Sequence, residues 1–495
     1  MQNPTLAPEP YIIEPTGFFG HPRGLATLFF TEFWERFSYY GMRALLILFM
    51  TASVQEGGLG YDTAKAGAIY GLYTAMVYLM ALPGGWVADR LLGQRKAVFW
   101  GGCVIALGHF SLAIENEMTF YAGLVLIVLG TGLLKPNISV MVGALYPEGG
   151  AKRDAGFSVF YMGINLGAFV APLACGYLGE SVDWHLGFGL AGVGMVLGLV
   201  QYRWGEKYLG EAGLQPAPLA SQESKQVYTI LYGGLGVVAL VLLLGFSGLL
   251  PIDVGTLANL GGVVIVGVAL SYFGYILAAG GLTAAERNRV LVIAALFIFS
   301  ALFWSAFEQA GSSLSLFAND LTNRYVGSFE TPASWLQSVN PLLIIGLAPV
   351  FAWLWVALGR LQPSLPVKFA LGLIFVGLGF AVIAFASILA VGGNKVSPLW
   401  LVLTFVFHTI GELCLSPVGL SAMTKLAPQR LVSQIMGVWF TSVSLGSLIA
   451  GRVGGLFESL PLPQLFGAVC AFTVVAGLLL LLLAKPIQSL MGEVK

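Results

Sequence analysis

Seven ionisable residues lie in stretches apolar enough for a membrane interior. They are Glu32, Glu35, Arg36 and Arg43 in TEFWERFSYYGMRALLILFM, Lys135 in GTGLLKPNIS, Glu308 in FWSAFEQAGSS and Glu412 in HTIGELCLSPVG. An unpaired base at the bilayer centre costs from about 2.5 to above 10 kcal/mol, so such groups face a wet cavity or each other. On an α-helix Glu32, Arg36, Tyr39 and Arg43 fall within a sector of about 60°, with Glu35 beside it. The four carboxylates and three bases leave one surplus negative charge. In a low-dielectric site the cheapest remedy is one bound proton. The expected chemistry is ion pairing and proton binding around one cavity. Covalent catalysis is not expected: there is no zinc motif, Walker loop, G-x-S-x-G or nucleophile–base set. The protein is read as a non-enzyme.

The elements that hold these charges follow from composition. The chain has 495 residues, 57% hydrophobic and 10% charged, with mean hydropathy +0.85. Soluble domains carry about 25% charged residues, so this is an all-α polytopic membrane protein. Its balanced charge, 24 basic and 24 acidic residues, gives no reason to expect nucleic acid as a partner. Fourteen apolar runs are long enough to span. The basic residues are asymmetric: Arg90, Arg95, Lys96, Lys152, Arg153, Arg203, Lys207, Lys225, Arg287, Arg289, Arg360, Lys368, Lys425 and Arg430 fall on one side, against Lys65, Arg324 and Lys395 on the other, with Arg452 near that end of its helix. That pattern places both termini in the cytoplasm. The expected organisation is a tail over 1–24, a six-helix bundle over 25–204, a linker over 205–227, two additional spans over 228–280, a second six-helix bundle over 281–487 and a tail over 488–495. The two additional spans hold almost no polar residue and read as lipid-facing. Two six-helix halves are the plan of a transporter.

Three motifs carry a family resemblance. GGWVADRLLGQRKAVFWGG, with Gly85, Asp89, Arg90, Gly93, Arg95 and Lys96, resembles the loop between the second and third helices of the major facilitator superfamily. Its glycines suit close helix approach, and Asp89 can cap or pair across the cytoplasmic face. FSVFYMGINLGAF adds Asn165 between Gly163 and Gly167. Together with Glu32-x-x-Glu35-Arg36 and the FSYYGMR that follows, these resemble the proton-dependent oligopeptide transporters of bacterial type, over essentially the whole chain. The resemblance implies the major facilitator fold with two extra helices and proton-coupled import of di- and tripeptides. It also implies a location in the bacterial inner membrane, protons as the coupling ion, no cofactor or metal, and a functional monomer. The animal members' second-helix histidine is missing, which puts coupling on carboxylates.

On this reading Glu32, Glu35 and Arg36 are the proton-coupling cluster: protonating a glutamate releases Arg36. Lys135 with Glu412, and Arg43 with Glu308, are candidate gating ion pairs between the halves. A peptide zwitterion needs a cation for its carboxylate, an anion for its amine and an adaptable aromatic wall. Arg43 and Lys135 supply the first and Glu412 the second, with Glu308 close by and Asn165, Asn340 and Ser416 as hydrogen-bonding partners. Tyr39, Tyr40, Tyr78, Trp304 and Trp439 supply the third, although aromatics on membrane helices also serve packing and interface anchoring. His408 reads as a core histidine and His109 as packing. Pro136 and Pro417 read as helix kinks, and the four cysteines as buried thiols. A carrier of the same fold for nitrate or a drug would explain the bases but leave Glu412 without a substrate partner. A receptor or scaffold has no reason to bury seven ionisable groups.

Overall fold

The computed structural model describes residues 17–214, 221–247 and 253–492. The first sixteen residues of the expected tail, linker residues 215–220 with Pro216 and Pro218, residues 248–250 at the end of the seventh expected span with 251–252 after it, and 493–495 lie outside the described residues.

A bilayer offers no water to backbone amides, so a spanning chain bonds to itself as helix. The first group comprises α1 (Arg23–Thr51), α2 (Thr63–Leu79), α3 (Ala81–Val87), α4 (Gln94–Leu112), α5 (Glu117–Ala144), α6 (Gly150–Ser181) and α7 (Trp184–Gly205). A π-helical turn over Ala88–Leu92 extends α2 and α3 into one span. Next come α8 (Ser221–Phe246) and α9 (Val254–Ala279). The second group is α10 (Ala284–Phe307), α11 (Ser313–Asp320), α12 (Val339–Leu358), α13 (Leu365–Leu389), α14 (Leu399–Leu426), α15 (Val432–Gly454) and α16 (Leu462–Met491). A short antiparallel hairpin, β1 (Tyr325–Val326) with β2 (Phe329–Glu330), precedes α12. Among the described residues twelve runs are long and apolar enough to cross a membrane by length and composition. Charged α1, and α4 opening on Arg95 and Lys96, bring the total to the expected fourteen.

Some ends differ from the apolar pattern, for local reasons. The ninth apolar run starts at Val290, but α10 starts at Ala284, because Thr283 and Glu286 form a reciprocal capping box. Residues 488–491, expected in the tail, continue α16. The same ninth run conceals a break: after α10 a 3₁₀ turn over Glu308–Gly311 separates it from α11.

Burying apolar surface from lipid gains little, so helices associate through small residues that permit close contact. A methyl at Gly167 of α6 would lie 2.4 Å from the Phe33 carbonyl oxygen and 3.0 Å from Arg36 Cβ. A methyl at Gly163 would lie 2.9 Å from the Phe29 ring. These glycines press α6 onto α1 at the height of its charges. Gly84, rather than Gly85, makes the close approach expected of the loop motif: its added carbon would run into the Gly132 carbonyl on α5, whereas at Gly85 the nearest atoms are 3.9 Å away.

The two groups separate on one face and meet on the other. The gap is a vestibule of about 2420 Å³ on the face that carries Asp89, Asp154, Arg360, Lys425 and the end of α16. On the opposite face Gly67 and Gly71 of α2 pack directly against Gly451 of α15 and Gly455 just beyond its end. There the 3₁₀ turn over Ala333–Ser338 docks on α6. Glu180 accepts hydrogen bonds from the Ala333 and Ser334 amides at 2.6 and 3.0 Å, Trp335 Nε1 donates to the Leu173 carbonyl at 3.0 Å, and Ser338 Oγ donates to the Phe169 carbonyl at 2.8 Å.

The additional helices differ from each other. The described side chains of α8 are mostly exposed. In contrast, α9 lies over the junction of α2 and α15, where Ala75, Ala258, Ile265 and Leu448 form a small buried cluster. Arg452 Nη2 donates to Gly255 O at 2.5 Å and Asn259 Oδ1 at 2.6 Å. Asp253 caps α9, and its bonds from the Thr256 hydroxyl and amide hold its carboxyl below the usual carboxylate range.

Candidate functional site

The charges of α1 form two layers. In the first, Arg36 Nε lies 3.0 Å from Glu32 Oε1 and 2.5 Å from Glu35 Oε2, so one guanidinium serves two carboxylates. All three residues are buried, Glu35 completely. Seven residues on, about 10 Å along the axis, Arg43 Nη2 lies 2.7 Å from Glu308 Oε2, and Arg43 Nε donates to Tyr70 Oη at 2.7 Å. Glu308 sits at the break between α10 and α11, where the helix end frees space for a side chain between the two groups. Of the two ion pairs expected between the halves, this one is formed.

The other is not formed here. Lys135 Nζ lies 4.0 Å above the Tyr78 ring, and Glu412 Oε2 accepts from Asn340 Nδ2 at 3.1 Å. Asn340 also donates to Thr409 Oγ1 at 2.9 Å. Lys135 and Glu412 both line the smaller cavity at the end of the vestibule, from opposite groups.

At the end of the vestibule is a cavity of about 250 Å³. Glu32, Arg36, Tyr40, Arg43, Tyr78, Lys135 and Asn165 line it from the first group, and Trp304, Glu308, Asn340, Glu412 and Ser416 from the second. Two expected wall residues do not reach it. Tyr39 is 3% exposed and stacks against Tyr73 of α2, because one residue of helix turns it about 100° from Tyr40. Trp439 is 4% exposed and faces Phe369 and Gly419 inside the second group. Glu35 lies behind Arg36 rather than on the wall. Residues not singled out in the sequence add to the lining, among them Tyr161, one turn before Asn165, whose amide donates to its carbonyl at 2.9 Å, with Phe307, Gln337 and Phe440; His408 also reaches the wall. The repeated aromatics of FSVFYMGIN are the only signal that could have pointed to Tyr161.

The loop motif lies at the mouth. Gly93 has φ +75°, a left-handed conformation glycine accepts without strain, and it turns the chain from the π-helical turn into α4. Arg95 Nε donates to the Ala212 carbonyl at 2.7 Å, and its guanidinium also reaches the Gly210 carbonyl, which ties the motif to the segment after α7. Asp89 accepts from Gln94 Nε2 at 3.2 Å, and Lys96 is exposed. His408 is buried among Phe307, Phe380 and Phe405, and His109 is buried inside the first group. The four cysteines are free thiols; Cys175 and Cys414 are buried, whereas Cys103 and Cys470, expected to be buried as well, are partly exposed. Among the described residues no cluster of His, Cys, Asp and Glu could hold a metal ion.

Comparison with known proteins agrees with this architecture. A model of the POT family matches residues 95–466. A peptide transporter of Yersinia enterocolitica is 46% identical over 493 residues, covering 96% of each chain. A di-/tripeptide transporter of Lactococcus lactis is 39% identical over 490 residues, covering 97% of this chain and 98% of its own. The crystal structure of a peptide transporter of the POT family bound to sulfate superimposes with a TM-score of 0.91 at 47% identity, over 96% of this chain and 97% of that one. The fold is that of these transporters, two helical groups of major facilitator type with two further helices, and the chain is a member of the POT family.

Proposed function

We propose that this protein is a proton-coupled symporter that imports di- and tripeptides by alternating access. The observation that carries the reading is the division of charge in the central cavity. All three bases, Arg36, Arg43 and Lys135, come from the first group, where Glu32 is taken up by Arg36, and the second group supplies the carboxylates Glu308 and Glu412. A zwitterion fits such walls, and two or three extended residues span about 7–10 Å. Tyr40, Tyr78, Tyr161, Trp304 and Phe307 give varied side chains apolar and aromatic surface. Relatives named as peptide and di-/tripeptide transporters support the same reading.

On this reading the vestibule opens to the cytoplasm and both ends of the chain lie there, which the basic Arg360, Lys368 and Lys425 around the vestibule support. The structure is then the inward-open state of a plasma-membrane carrier that works as a monomer. The Arg43–Glu308 bridge belongs to the closed outer face, and Lys135–Glu412 is the bridge that forms when the inner face closes. Proton and peptide bind from outside. A proton on Glu32 or Glu35 weakens the hold on Arg36, the halves close over the peptide, and the inner pair parts. Once both leave, the ion pairs re-form and the carrier resets.

Counterflow tests the substrate class. Liposomes holding the purified protein and preloaded with dialanine take up labelled dialanine, and unlabelled di- and tripeptides compete. Free alanine and nitrate do not. Competition by nitrate, with none by peptides, would point to an anion carrier of the same fold.

A further inference from the structure

One cation in the vestibule is placed unlike the rest. Lys368, at the start of α13, is 8% exposed, and its ammonium lies 4.4 Å above the Trp355 ring. Among the described residues no carboxylate or carbonyl takes a bond from it, yet it lines the cavity. A lysine that only sets topology extends into water at the membrane edge. Lys368 is instead turned inward over an aromatic floor, with Arg360 and Lys425 exposed on the same wall. The facing wall carries Asp89 and Asp154.

Wall polarity therefore reverses along the path. In the central cavity the bases belong to the first group and the free carboxylate, Glu412, to the second; at the mouth the first group presents acids and the second presents bases. Occupancy matters as well. Arg36 is held by Glu32 and Glu35, and Arg43 by Glu308, which leaves Lys135 as the central cation outside an ion pair among the described residues. With Arg36 and Arg43 engaged, a carboxylate that departs from Lys135 next meets Lys368.

We infer that Lys368, flanked by Arg360 and Lys425, is a second carboxylate subsite, which takes the anionic end of a peptide leaving the central cavity. The inference rests on the peptide reading and adds an exit step to it. The partly desolvated ammonium is a stronger partner for a carboxylate than a surface lysine is, and Trp355 leaves it no competing anion. Asp89 and Asp154 are placed to meet the amine of the same peptide.

The test uses right-side-out membrane vesicles containing the full chain, in which the half-saturating concentrations of internal and external dialanine are measured separately by counterflow. Lys368→Gln raises the internal value about tenfold and leaves the external value within twofold, while Lys368→Arg stays near wild type. With dialanine amide, whose carboxylate is masked, Lys368→Gln changes neither value. The double variant Arg360→Gln/Lys425→Gln shifts the internal value in the same direction, about threefold, and supplies the answer if Lys368→Gln does not fold. An unchanged internal value in a folded Lys368→Gln protein overturns the subsite. An equal shift for dialanine amide overturns it too and points to a bound lipid headgroup or to a role in closure. Absence of any peptide counterflow in the wild-type protein removes the peptide reading itself.

Discussion

At Arg36 two carboxylates share one guanidinium, and neither can gain a proton without changing the hold on that arginine. This makes Glu35, fully buried behind Arg36, the sharpest residue to change. Glu35→Gln lowers pH-driven peptide uptake about a hundredfold, the scale of losing a proton-transfer group, while peptide exchange across the same membrane survives. Equal loss of both would make Glu35 structural. Arg43 and Glu308 behave differently, because each neutralises the other between the halves. Removing one partner of a buried pair costs about 3–5 kcal/mol, so Glu308→Gln lowers the melting temperature clearly. Arg43→Gln/Glu308→Gln together is less destabilising than the sum of the singles, as a double-mutant cycle in detergent will show. Strict additivity would mean the pair is not coupled. The seven charges were legible in the sequence because an apolar context makes each charge expensive and so conspicuous. The aromatic wall was only partly legible. Tyr39 and Tyr40 are adjacent and alike in type, and packing against Tyr73 decides which one meets the cavity.

At the scale of elements, glycine contacts set where helices touch and hence where the path is closed. The seam of α2 and α15 has no room for a side chain: a methyl at Gly67 would lie 2.4 Å from the Gly451 carbonyl oxygen. Gly67→Val therefore wedges this face, and spin labels at the α2 and α15 ends report a longer distance than in wild type. An unchanged distance in a folded variant would show that the seam does not hold the state. Glu180 acts nearby by hydrogen bonding. Its two bonds to the Ala333 and Ser334 amides join α6 to the second group, so Glu180→Ala loosens the same face and increases labelling of a cysteine placed at Ser334. The helices themselves were readable from apolar runs, as were the two quiet additional spans. The break at Glu308–Gly311 was not readable, because FWSAFEQAGSS keeps enough apolar character to pass for continuous helix. Nor was the role of α9 across the α2–α15 seam, since an uncharged helix gives no sign of which neighbour it covers.

For the whole molecule, the two helical groups part on one face and lock on the other, with the vestibule and the central cavity between them. Alternating access needs this arrangement and its converse. It also assigns work to the coupling ion: a neutral peptide moving with a proton carries net charge, so the membrane potential adds about 2.3 kcal/mol per charge per 100 mV to the pH gradient. The central claim is that the proton gradient drives the peptide uphill. The direct measurement is accumulation of labelled dialanine in liposomes containing the purified protein, with the interior held alkaline. The account predicts an internal concentration well above the external one, which collapses to equality when a protonophore is added. Uptake that stops at equality with the gradient intact would contradict it.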